Sequence, residues 1–123
     1  MRKINLKSTE DTPQVEYHDG DNILRIIGRS LPEDAWAFYE PVIEWASVYS
    51  PASASSALVI ELFLEYFNSS SGRYILELLS TLEKKGIDNV KVVWCAEKDD
   101  ELMVEKGEEF SSLVDLPFEI KVA

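Results

Sequence analysis

The chain has 123 residues, 46% of them hydrophobic and 28% charged, which suits one globular domain with a core of ordinary size. With 23 acidic against 12 basic side chains, the net charge of −11 repels phosphate backbones and argues against nucleic acid as a partner. The apolar runs are too short to insert into a membrane, and the single cysteine, Cys95, can make neither an intramolecular disulfide nor a cysteine zinc cluster.

The opening "MRKINLKSTEDTP" is briefly basic but has no apolar stretch of signal-peptide length behind it, so a cytoplasmic protein is expected. Two strand-like runs follow, Gln14–His18 and Ile23–Gly28, separated by "DGDN", whose residues tolerate the turn conformations of a hairpin. His18, the only histidine, lies beside that turn, where no partners for a nucleophilic triad or a metal site are suggested.

In "SLPEDAWAFYEPVIEWASVY", Ser30 and Glu33 have capping-box spacing and Pro32 suits a first turn. Ala35, Tyr39, Val42, Ala46 and Tyr49 form a helical stripe, so a helix is expected from about Glu33 to Tyr49, kinked or broken at Pro41. Trp36 and Phe38 fall off the stripe and are the candidates for an exposed aromatic contact with a partner. The loop "SPASASSA", Ser50–Ala57, leads to "ALVIELFLEYF", which reads as a central strand covered on both faces. Glu61 and Glu65 share a face of that strand about 13 Å apart by strand rise, too far for the usual carboxylate pair of glycoside hydrolysis. They carry the alternative reading of a small enzyme.

After the serines, Tyr74, Ile75, Leu78, Leu79 and Leu82 line one side of a helix that ends at "EKKG", where Gly86 can take the left-handed cap. "NVKVVWCA" is a buried strand containing Cys95, a charged helix runs from about Asp99 to Leu113, and "PFEIKV" closes as a short strand. The segment "AEKDDELMVEKGEEF" holds seven carboxylates against two lysines and reads as a solvated helix face, with an acidic docking surface as the alternative. Strands alternating with helices after a hairpin define an α/β fold, a mixed, mainly parallel sheet with helices packed on it.

"NSSSGR", Asn68–Arg73, falls at the turn from the central strand into the next helix, at the carboxyl edge of the sheet. One serine is expected to cap the helix, leaving two hydroxyls without that role. They are turn formers, or one is a phosphorylation site: a phosphate there meets free amides and the positive end of the helix dipole, with Arg73 close enough to pair with it. No glycine-rich phosphate loop is present, and nothing calls for a cofactor or metal.

"YFNSSSGRYILELL" resembles the tyrosine, phenylalanine, asparagine, threonine, serine, serine, serine, lysine pattern of the SiaC family of bacterial regulatory phosphoproteins. "GRSLPEDAWAFYEPVIEW", "GEEFSSLVDLPFEI" and "TPQVEY" are similar to further segments of that family, in order along nearly the whole chain. The resemblance implies a fold like STAS and anti-sigma-factor-antagonist domains, and a non-enzymatic partner switch. In that implied switch a serine/threonine kinase would phosphorylate the domain, a PP2C-type phosphatase would restore it, and the unmodified form would bind and activate a diguanylate cyclase, raising cyclic di-GMP and favouring biofilm. An anti-sigma-factor antagonist is the second binding reading. The family threonine falls on Ser69, the implied acceptor, with Ser70 and Ser71 as alternatives; Gly72 and Arg73 stand where serine and lysine are usual. Asn68, Ser70, Ser71, Gly72, Arg73, Trp36 and Phe38 are the implied partner-contact residues.

Overall fold

The computed structural model describes residues 3–51, 53 and 56–123. Its elements in chain order are β1 (Asn5–Leu6), β2 (Gln14–His18), β3 (Ile23–Ser30), α1 (Ala35–Val48), β4 (Leu58–Phe67), α2 (Ser69–Lys84), β5 (Val90–Ala96), α3 (Glu101–Leu113) and β6 (Phe118–Val122). The expected loop 50–57 includes positions 52, 54 and 55, which lie outside the described residues.

All six strands form one sheet in the order of the sequence, β1 to β6. The first three run antiparallel, and β3 through β6 pair in parallel, each parallel step crossing over through one helix. A right-handed crossover that always moves the same way along the sheet puts every helix on the same face. The side chains obey this: Leu58, Ile60, Leu62 and Leu64 on β4, and Val90, Val92, Trp94 and Ala96 on β5, are buried, while the intervening residues are only partly covered or exposed, Cys95 excepted. The expectation that β4 is covered on both faces is therefore corrected. Its second face is a solvent-facing sheet surface on which Val59, Glu61 and Phe63 lie beside Ile23, Arg25 and Ile27 of β3 and stay partly exposed.

The core lies between that buried face and the inner stripes of the helices: Tyr39, Val42, Trp45 and Ala46 from α1, and Ile75, Leu78, Leu79 and Leu82 from α2. Each large side chain fully removed from water there contributes roughly 1.5–3 kcal/mol before entropy is counted. The cap of α1 is Asp34, whose carboxylate accepts the Ala37 amide at 3.1 Å; Ser30 belongs to β3, so the capping box expected from Ser30 and Glu33 does not form. The expected break at Pro41 is absent, since α1 runs continuously through it. The missing bond would have gone to the Ala37 carbonyl, and both residues are exposed, so the orphaned acceptor is on the side of the helix open to water.

Between β3 and β4 the register slips at Gly28/Arg29, leaving Glu65 as an extra residue between Leu64, opposite Gly28, and Tyr66, opposite Arg29. Gly28 has φ 127, which a residue with a side chain rarely adopts. The bulge restores Phe67 to the helix side, where it meets Trp94 and Phe110 at 5.9 Å between centroids.

Candidate functional site

The end of β4 is tied to the end of β3 by the Asn68 amide, which donates to the Ser30 carbonyl at 3.0 Å. Asn68, not a serine, is the cap of α2: its backbone is extended and its side-chain oxygen accepts the Ser71 amide at 2.9 Å. Ser69, Ser70 and Ser71 are thus the first three residues of the helix, and each meets a different environment.

Ser71 is fully buried. Its hydroxyl donates to the Ser30 carbonyl at 3.0 Å and accepts from the Ser30 hydroxyl at 2.8 Å, which lies 2.5 Å from the Tyr39 hydroxyl. Since Ser30 spends its proton on Ser71, Tyr39 donates to Ser30, and a single run of hydrogen bonds stitches α1, β3 and α2 together. Burial pushes the Tyr39 phenol up to about 12, against the opposing effect of its serine hydrogen bonds. Sealed in this way, Ser71 is not open to a modifying enzyme, and its place among the alternative acceptors is corrected. Gly72 is buried too: a Cβ there would stand 3.0 Å from the Phe67 ring, so the glycine allows close packing at the floor of the groove beside Ser69.

Ser69 and Ser70 are exposed. The first intrahelical bond runs from Gly72 to the Asn68 carbonyl, so the amides of Ser69 and Ser70 emerge at the positive end of α2. Ser69 and Arg73, four residues apart, share one face of the helix, and Arg73 is exposed with its guanidinium 5.8 Å from the Tyr74 ring. Two shallow grooves meet at Arg73. One, about 490 Å³, is lined by Trp36, Tyr74, Leu76, Glu77 and Lys84. The other, about 330 Å³, lies between α2 and α3; Ser69 stands at it with Phe67, Leu76, Lys106, Phe110 and Leu113. Trp36 is 45% exposed, and its ring packs 5.5 Å from Tyr74. Phe38 is only partly exposed and turns edge-on to Tyr39 at 4.9 Å, so the structure places it on the flank of the core and not beside Ser69's grooves.

The carboxylates singled out in β4 do not converge. Glu61 is ion-paired with Arg25 at 3.0 Å on the open sheet face, and Glu65 is the exposed extra residue of the bulge. His18 lies 2.9 Å from Glu16, and no cluster of metal-ligating side chains occurs among the described residues. Cys95 is buried in the sheet, where desolvation and the nearby Glu61 charge push its thiol up, away from reactivity. Sequence reasoning overlooked Ser30 and Lys106: Ser30 resembled a cap, and Lys106 comes near Ser69 only through the packing of α3 beside α2. Among the described residues the parallel strands are wound in one direction, without the reversal of strand order that makes a switch-point crevice. What remains at the carboxyl edge is a surface of hydroxyls, a cation and aromatic rings, suited to protein contact.

The fold and the corner together define a small α/β domain that presents an exposed serine at a helix start. The chain belongs to the SiaC family of regulatory phosphoproteins, which matches residues 6–123. It is 28% identical over 123 residues to an uncharacterised protein of Pseudomonas aeruginosa strain UCBPP-PA14, covering 98% of this chain and 97% of that protein. The crystal structure of apo-SiaC from Pseudomonas aeruginosa superimposes with a TM-score of 0.85 at 27% identity, covering 98% of this chain and 99% of that one. A further match, with a TM-score of 0.88, 26% identity and the same coverages, is the crystal structure of the diguanylate cyclase SiaD in complex with its activator SiaC, from the same organism. No helix among the described residues is long and apolar enough to cross a membrane.

Proposed function

We propose that this protein is a non-enzymatic, cytoplasmic partner switch. In its unmodified state the corner at Ser69 docks on a diguanylate cyclase and activates it, raising cyclic di-GMP. Phosphorylation of Ser69 by a serine/threonine kinase ends the contact, and a PP2C-type phosphatase restores it. The observation that carries the reading is the division of labour among the serines: Ser71 is locked into the fold, while Ser69 is free on the helix face that also bears Arg73. Membership of a phosphoprotein family, and the likeness to the SiaC that is the activator of SiaD, supply the partner class.

Physics gives the switch its sign. A phosphate on Ser69 adds about −1.5 to −2 charge beside the free amides of α2, where Arg73 and Lys106 can pair with it, so the domain stays folded. The same group brings charge and tightly held water into a groove that, Gly72 and the Glu109 carboxylate apart, is otherwise walled by Phe67, Leu76, Phe110 and Leu113. An apolar partner surface seated there would have to desolvate it.

The test is incubation with the cognate kinase and ATP, mapping of the modified peptide, and a cyclase assay with the wild type, Ser69→Ala and Ser69→Asp. Phosphate on Ser69 is expected, with Ser69→Ala activating the cyclase and Ser69→Asp binding at least tenfold more weakly. Phosphate on Ser70 would move the switch by one residue. Absence of phosphate from both, or equal activation by all three proteins, would reject it.

A further inference from the structure

The two edges of the sheet are unlike each other. At one end β1 is only two residues long, too short to template another strand. At the other, β6 is five residues long with no strand on its outer side among the described residues. Its inner hydrogen bonds fix which backbone groups are spent. The Pro117 carbonyl accepts from Val92 at 2.8 Å, the Ala123 amide donates to Ala96 at 3.0 Å, and the Ala123 carbonyl accepts from Lys98 at 2.9 Å. Odd-numbered residues therefore face β5, and the amides and carbonyls of Phe118, Ile120 and Val122 point outward.

We propose that β6 is a self-complementary docking edge through which two copies of this chain join, antiparallel, into one continuous sheet. Centred on Ile120 opposite Ile120 of the second copy, the outward groups align as hydrogen-bonded pairs: Phe118 with Val122, Ile120 with Ile120, Val122 with Phe118. The residues between them sit closest across the seam. These are Glu119 opposite Lys121 and Lys121 opposite Glu119, both exposed on the open sheet face. Opposite charges directly across an antiparallel pair attract, and like charges repel. Sliding by one hydrogen-bonding step sets Glu119 against Glu119, or Lys121 against Lys121. The edge thus selects one register and disfavours its neighbours, whereas an edge guarded by lysines alone would repel its own copy. On the helix side the pairing covers Val122, 55% exposed in the single chain. The seam lies two strands away from β4 and leaves the Ser69 corner open, so this inference stands independently of the switch.

Sedimentation equilibrium from micromolar to millimolar protein tests it, at about 0.15 M salt, where a Debye length of about 8 Å screens the −11 charge on each copy. The wild type is expected to shift from monomer to dimer within that range. Glu119→Lys, which sets lysine against lysine twice, should weaken the dimer by roughly tenfold. Adding Lys121→Glu to that variant should restore it. Ile120→Pro removes an amide that serves only the outer edge, so it should abolish the dimer while circular dichroism stays native. A wild type monomeric throughout would overturn the proposal. So would a dimer indifferent to a natively folded Ile120→Pro, or failure of the double charge exchange to rescue while Ile120→Pro still dimerises.

Discussion

Ser71 and Ser69 are two residues apart and do opposite jobs, which makes their substitution a direct comparison. Ser71→Ala deletes two buried hydrogen bonds and leaves the Ser30 hydroxyl to find a new acceptor in a dry site. A cost of about 1–3 kcal/mol is expected, read as a lower urea midpoint at unchanged slope. Ser69→Ala, at an exposed site, should stay within about 0.5 kcal/mol of the wild type. Tyr39 adds a pH signature to the same network. Its phenol ionises near 10 when the chain is unfolded and at about 12 when folded, so between those values the unfolded state has released the proton and the native state has not. Stability contributed by Tyr39 is therefore complete below pH 10 and lost as pH rises toward 12, by a total on the order of 2–3 kcal/mol. Urea midpoints across that range should fall more steeply for the wild type than for Tyr39→Phe. Tyr17, whose phenol is also raised, is common to both proteins and cancels. The residues of this site were legible as a group, since a run of hydroxyls at a strand-to-helix turn is conspicuous. Their individual roles were not. Asparagine and serine cap equally well, so only the point at which β4 ends decides that Asn68 caps and that the third serine turns inward.

Among the elements, α3 is the one whose seating rests on a glycine. Trp94 stands up from β5 and lies against the helix backbone at Gly107, with its indole N–H donating to the Met103 carbonyl at 3.0 Å and its ring 5.0 Å from Phe110. A Cβ on residue 107 would come within 2.6 Å of the indole. Gly107→Ala gains about 1 kcal/mol in helix propensity, yet it must push a fully buried tryptophan or lift the helix. Net destabilisation of roughly 1–2 kcal/mol is expected, together with a shifted tryptophan emission; an unchanged or higher melting temperature would show that α3 can slide without cost. Because Phe110 also lines the groove beside Ser69, that displacement should reach the proposed partner surface without touching it. Element order and most boundaries were readable from periodicity and turn residues, including the cap glycine Gly86 with φ 66. The start of α1 was not. Ser30 and Glu33 imitate a capping box, but Ser30 is claimed by the ladder with β4, where it lies opposite Phe67, and tertiary pairing overrides a local signal. β1 escaped notice because two residues are too few to show any alternation.

For the whole molecule, strand order equals chain order, and that alone places the three helices on one face. The sequence disguised this, since Val59 and Phe63 on the open face are as apolar as their buried neighbours, and a run apolar at every position looks covered on both sides. The net charge was fully legible, and it has a consequence for the folded state. A charge of −11 held in a compact body repels itself, and the described lysine and arginine pairs, Arg25 with Glu61, Lys91 with Glu119 and Lys106 with Glu109, all sit at the surface, where such pairs contribute little. Salt should therefore relieve more repulsion than it removes attraction. At about 0.01 M the Debye length is about 30 Å and every carboxylate feels the others; at about 0.1 M it is about 10 Å and distant ones are screened. The melting temperature is expected to rise by a few degrees in sodium chloride across that interval, the size that a gain on the order of 1 kcal/mol gives for a chain of this length, and then to level off. A fall over the same interval would mean that the surface pairs and helix-end charges outweigh the net repulsion. The added charge of about −1.5 to −2 from a phosphate at Ser69 would then be felt mainly by the helix end and the cations beside it.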